Sequence, residues 1–172
     1  MDKVMTEGNS GGLAPAPFLV LGVGNILMAD EGIGVRVLEA LKNELMPDCV
    51  ELIDAGTALV ELLPLLSKRE KVVVIDAVRC GREPGTVYRF TPADIAELKQ
   101  PQISIHQIGI LEALRMAELG GWKPREVVIF GIEPAKVDWG MELSAEVAAS
   151  LQKVVRLVIE EIARTAASAV AQ

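Results

Sequence analysis

The sequence predicts an α/β protein with a mostly parallel sheet and helices on both of its faces. Two observations carry this reading. Short, predominantly apolar runs begin at Phe18, Val50, Lys71 and Glu126, and such runs suit strands covered on both sides. They alternate with segments whose apolar residues recur at helical spacing, and that alternation favours a parallel sheet. In such sheets ligands bind beyond the carboxyl ends of the strands, near a switch in strand order.

The first strand, Phe18 to Val23, opens the stretch FLVLGVGNILMADEGIGVR, around which the chain is organised. Gly22 and Gly24 let the backbone turn tightly without a Cβ clash, and Asn25 tolerates unusual φ values nearby. Asp30 and Glu31 follow, where a helix from about Gly32 begins. A carboxylate there satisfies free N–H groups and complements the helix dipole, and one acid is enough for that job. Two adjacent acids at the carboxyl end of a buried strand also make a metal or catalytic site. Val35, Val37, Leu38, Leu41 and Leu45 then form the helix's apolar stripe, which Pro47 ends.

A second strand from Val50 to Ile53 runs into Asp54-Ala55-Gly56-Thr57, with Thr57 expected to cap a short helix over 58–66. KVVVIDA, 71–77, is the clearest buried strand and ends on Asp76. After a turn-rich loop, TVYRF (86–90) alternates as a half-exposed antiparallel or edge strand would. Thr91-Pro92 reads as a helix start, with proline at the first helical position. Ser104 and Gln107 match a capping box for a helix that stops at Gly120-Gly121. The strand from Glu126 to Gly131 leads into Ile132-Glu133-Pro134 and a loop with Asp138-Trp139-Gly140. Ser144 opens the last helix, whose stripe is Val147, Leu151, Val154, Val158 and Ile162.

At 172 residues the chain is most simply one domain, expected over 18–165, with a disordered leader (1–17) and a frayed tail (166–172). The composition is 51% hydrophobic but only 3% aromatic, so the core must be aliphatic. Apolar runs fall far short of the roughly 18 residues needed to span a membrane. A net charge of −7 with no basic run argues against nucleic acid and anionic membranes as partners. Cys49 and Cys80 form no CxxC motif, and with no export signal in 1–17 the thiols are expected to be reduced in a cytoplasmic setting.

Glu31 follows the first strand, Asp54 ends the second, Asp76 ends the third, and His106 begins a helix after a strand. Topology should therefore bring these groups to one edge of the sheet. Glu31, Asp76 and His106 would offer two carboxylates and one imidazole, which suits a borderline divalent ion such as zinc, nickel, iron or manganese. Singly, each has a plainer explanation: a first-turn acid, a strand-end acid capping a turn, a polar residue in a helix's first turn. Their shared position is what favours a site. His106 is the only histidine, which excludes an HExxH protease. No GxSxG elbow is present. Cys80 has nothing local to lower its pKa and reads as a bystander. Leu27 stands where a G-x-G-x-x-G fingerprint needs its third glycine, and there is no phosphate loop.

Taken together, GVGNILMADEGIGV (22–35), DAGT (54–57), VVVIDAV (72–78), SIHQIG (104–109), FGIEP (130–134) and DWGMELSAEV (138–147) resemble the hydrogenase maturation endopeptidases. That family removes a C-terminal extension from the large subunit of [NiFe] hydrogenases. The blocks follow the family's order from about Phe18 to Ile162; Ala55 departs from it, where glycine is commoner. The resemblance implies a three-layer αβα fold on a five-stranded, mostly parallel sheet with one antiparallel edge strand. It implies a cytoplasmic, often monomeric hydrolase whose partner is the large-subunit precursor. It also implies a metal-binding trio, falling here on Glu31, Asp76 and His106, that recognises nickel already inserted into the precursor. Other divalent metals would substitute. Asp54 occupies a family position suspected in cleavage, so Asp54, Glu31 and Asp76 are the expected catalytic carboxylates. Two rivals remain: a non-proteolytic nickel-binding accessory protein using the same ligands, and a nucleotide-binding α/β domain, which the missing third glycine disfavours.

Overall fold

The computed structural model describes residues 15–97 and 105–170, with side chains at 59–60, 95–97, 105–109 and 168–170 excepted. Five strands, β1 (Phe18–Val23), β2 (Val50–Gly56), β3 (Lys71–Ala77), β4 (Val87–Phe90) and β5 (Glu126–Ile132), form one sheet in the order β2-β1-β3-β5-β4. All neighbours run parallel except β4, which lies antiparallel to β5 at the edge. The expected sheet, with its antiparallel edge strand, is the one observed.

Side-chain alternation divides the strands between two cores. Phe18 and Val20 of β1, Val73 and Ile75 of β3, and Val128 and Phe130 of β5 pack with α1 (Ile33–Leu41) and α4 (Ala145–Val170). Leu19, Leu21, Val72, Val74 and Ile129 face the opposite way. They pack against a 3-10 helix (Leu59–Leu66) and α3 (Ile105–Leu119). A further short helix, α2 (Pro92–Glu97), follows β4. Both layers are predominantly aliphatic, with Phe18 and Phe130 as aromatic members of the first. Among the described residues no helix is long and apolar enough to cross a membrane.

Three local expectations need correction. The first helix ends at Leu41, and Leu45 is fully exposed. Leu41 is the last stripe position packed on the sheet, and the Asn43 side chain then donates to the Glu39 carbonyl, competing with helix continuation. Thr57 caps nothing: the 58–66 segment is 3-10, entered through Ala58 without a side-chain cap. Pro64 inside it lacks the N–H that an α-helical ladder would use. Ser144 opens α4 as expected: the helix starts at Ala145 and the Ser144 carbonyl accepts the Ala148 N–H at 2.8 Å, while its own N–H and hydroxyl donate to Asp30. Finally, α4 continues past Arg164 to Val170, because Thr165 bonds back to the Glu161 carbonyl and Ala166 still packs on the core. The Thr91 cap is present in reciprocal form: the Asp94 carboxylate accepts from the Thr91 N–H and hydroxyl at 2.6 and 2.7 Å. The Ser104 capping box lies outside the described residues.

Candidate active site

The chain leaves β1 for β2 on one side and then crosses back to place β3 on the other. Strand order therefore reverses between β1 and β3, and the loops beyond those two strands diverge around a crevice. Glycine brings the crevice close to the sheet. A Cβ on Gly34 would run into the Val23 and Ile75 carbonyls, so the first turn of α1 lies directly over the ends of β1 and β3. A Cβ on Gly24, whose φ is +130°, would meet the Glu31 carbonyl.

Asp76 is the penultimate residue of β3 and is completely buried. By alternation it points with Val72 and Val74 to the face that α3 covers. Its Oδ1 accepts the Ala77 N–H at 2.8 Å, while Oδ2 has no hydrogen-bond partner among the described residues. Burial pushes its pKa up to about 8, against the Ala77 hydrogen bond and with a further contribution from the Glu31 charge. Glu31 lies in the 3-10 turn Ala29–Gly32 after β1, half-buried and close enough for that charge to be felt. Two of the three expected ligands are thus neighbours. His106 is the second residue of α3, on the same face of the sheet as Asp76; its side chain lies outside those described.

Asp30 takes the other role open to an acid in this turn. It is completely buried, and its carboxylate accepts hydrogen bonds from the N–H groups of Ala135, Lys136 and Ser144 and from the Ser144 hydroxyl, at 2.7 to 2.9 Å. Adjacent acids divide the work: Asp30 ties the β1 loop to the β5–α4 loop, and Glu31 faces the crevice acid Asp76. Ala29, just before them, holds φ +50°, a left-handed conformation that costs a non-glycine residue of order 1 kcal/mol.

Asp54 lies two residues before the end of β2, exposed to solvent, with Oδ1 accepting the Gly56 N–H at 2.8 Å. It lines an open pocket of about 230 Å³ together with Gly24, Asn25, Ile26, Val35, Gly56 and Thr57. Ala55 is the extra residue of a bulge, since Gly22 pairs with Asp54 and Val23 with Gly56. The left-handed turn that follows belongs to Gly56 (φ +46°), so alanine at 55 is no obstacle to it.

Glu133 was not singled out from the sequence, yet it is buried and organises the loop after β3. It accepts from the Cys80 and Gly81 N–H groups and from the Tyr88 hydroxyl. Burial, with the Glu133 charge second, raises the Cys80 pKa, so the thiol is a poor nucleophile.

Fold and crevice together define an α/β protein with a carboxylate site at its topological switch point. The family described as hydrogenase maturation protease (HycI) matches residues 35–161. The chain is 33% identical to the hydrogenase 2 maturation protease of Escherichia coli, over 88% of this chain and 94% of that protein. It is 35% identical to the hydrogenase expression/formation protein HupD of Rhodobacter capsulatus, over 86% and 72% respectively. Among solved structures, the E. coli hydrogenase maturating endopeptidase HybD superposes with a TM-score of 0.76 at 32% identity, covering 86% of this chain and 93% of that one. The chain belongs to the hydrogenase maturation protease family, and so to the hydrolases.

Proposed function

We propose that this protein is the endopeptidase that removes the C-terminal extension of a [NiFe] hydrogenase large-subunit precursor once nickel has been inserted. Glu31, Asp76 and His106 recognise the nickel that the precursor carries, and Asp54 serves the cleavage. The observation that supports this best is the buried Oδ2 of Asp76, which lies close to Glu31 and has no hydrogen-bond partner among the described residues. A carboxyl oxygen desolvated without a partner is costly unless a ligand engages it, and a cation arriving there would favour the ionised form that burial disfavours. Carboxylates with an imidazole on the neighbouring helix are donors that nickel accepts, and that other divalent ions accept as well.

The nickel is cargo of the substrate, held by the precursor's own ligands, and at this site it would supply Lewis acidity toward a nearby carbonyl. This chain's residues do the rest. Glu31 and Asp76 orient the loaded end of the precursor over the β1–β3 switch point. The pocket beside Asp54 receives the adjoining extended peptide. Asp54 takes a proton from the attacking water, the scissile C–N bond breaks, and the proton passes to the leaving amine. An unloaded precursor gives Glu31 and Asp76 nothing to bind, so it is spared. The protein acts as a monomer in the cytoplasm.

The decisive experiment incubates the protein with nickel-loaded and nickel-free precursor and records intact masses. Loss of a C-terminal peptide from the loaded form alone is expected. Complex formation without mass loss would instead support the non-proteolytic accessory protein, which the proteases and endopeptidases among its relatives do not favour.

A further inference from the structure

Two loops meet beside the crevice and are fixed to each other by backbone bonds. The Ala29 N–H donates to the Gly140 carbonyl at 2.7 Å, and the Gly140 N–H donates to the Leu27 carbonyl at 3.0 Å. Met28 and Gly140 form an isolated bridge, and Arg36 holds the Met141 carbonyl at 3.2 Å. Asp30 adds its four hydrogen bonds beneath. From this well-fixed platform three large apolar side chains project into solvent: Leu27 is 46% exposed, Trp139 76% and Met141 58%. Trp139 and Met141 flank Gly140, which pairs with the residue after Leu27, so the three belong to one bridged segment. The bridging bonds tie its backbone down, and the three exposed side chains belong to neither core.

We propose that Leu27, Trp139 and Met141 form the face on which the folded body of the large-subunit precursor docks, an apolar surface around the exit of its C-terminal extension. This rests on the function proposed above. The face adjoins the site, since the segment between β1 and α1 carries Leu27 and, four residues on, Glu31. A folded protein that brings a metal to Glu31 and Asp76 must therefore lie against it. Apolar contact suits that role in a chain of net charge −7, because it holds a partner without depending on charge. Trp and Met are enriched at the buried centres of such interfaces, and a Trp on an already ordered loop loses little entropy on binding. Asp30 is then a positioning residue that fixes the docking face relative to Glu31.

The test is the triple variant Leu27→Ser/Trp139→Ser/Met141→Ser, assayed with nickel-loaded precursor for KM, kcat and binding, alongside thermal melting and sedimentation. Losing three central contacts should raise KM and Kd on the order of 100-fold. The thermal midpoint should not fall and kcat should stay within about threefold, since the binding loss resides in docking. Trp139→Phe alone should keep most of the affinity. Unchanged KM in a folded triple variant would overturn the docking face while leaving the peptidase intact. A wild-type dimer that the variant dissolves, with KM unchanged, would assign the face to a second copy and overturn it too. Failure of the wild type to cleave any loaded precursor would overturn the proposed function itself.

Discussion

Glu161 and Asp76 are buried carboxylates at opposite ends of the same sheet, and their surroundings act in opposite directions. At the amino ends of the strands, Glu161 receives Lys71 Nζ at 2.6 Å, Arg89 through Nε and Nη2 at 2.9 Å, and Arg164 Nη2 at 2.9 Å. Hydrogen bonds from Arg89 foremost, then Lys71, outweigh burial and hold its pKa at about 2. At the carboxyl ends, Asp76 receives, among the described residues, only its neighbour's N–H on one oxygen, and burial pushes it up to about 8. Nearby, Arg69 is also buried and fully used, donating to the Leu65 and Ala16 carbonyls and to Glu51. One end of the sheet is a closed set of paired charges that holds the chain together. The other keeps a buried carboxyl oxygen with no partner among the described residues, an arrangement that stability alone would not favour.

Substitutions should separate the two ends. Glu161→Gln leaves the Lys71 ammonium buried with only the half-exposed Glu126 beside it, at 3.1 Å. A loss of about 3 kcal/mol is expected by denaturant titration, with cleavage by the remaining folded protein near normal. A wild-type-like midpoint would mean that the network contributes no net stability. Asp30→Asn should cost about 2 kcal/mol, since an amide cannot accept all four of the bonds the carboxylate accepts. It should lower cleavage as well, through loosening of the loops that carry Glu31 and the apolar face.

The pH dependence of stability follows the Glu161 shift. Its folded pKa lies below the ordinary 4.5, so its contribution is fully present above 4.5 and is lost as pH falls from there toward about 2. Melting curves of the wild type and Glu161→Gln should converge over that window; parallel curves would break the assignment. The smallest stability effects belong to the crevice. Asp76→Asn substitutes a neutral group for a carboxyl that burial already keeps protonated near neutral pH, so stability should change by less than about 1 kcal/mol. Glu31→Gln should be similarly mild, and both should abolish cleavage of loaded precursor. A crevice variant that unfolds, or one that cleaves normally, would erase the distinction between the two ends.

Legibility in the sequence follows the range of the interactions involved. β1, β3 and β5 were readable because burial on both faces writes an apolar run into six or seven consecutive residues. The convergence of Glu31 and Asp76 was readable because strand ends in a parallel sheet share one edge whatever the details of packing. Asp30 left a trace, one of two adjacent acids where one would serve, but its partners lie 105 to 114 residues away. Lys71 and Glu161 are 90 residues apart and left no trace at all. Pro64 did announce that 58–66 could not be an ordinary helix, and that signal was missed.

By itself, then, the sequence determined the sheet, its two covering layers and the edge on which the acids gather, because these depend on local periodicity and on rules of chain connection. Tertiary structure alone decided which acid of the adjacent pair is the structural pin and which faces the crevice. It also decided that Glu161 is ringed by cations while Asp76 Oδ2 has no partner among the described residues, and that Leu27, Trp139 and Met141 share one platform. Protonation, burial and alignment of this kind are set by groups that meet only when distant segments pack, and no spacing along the chain encodes them.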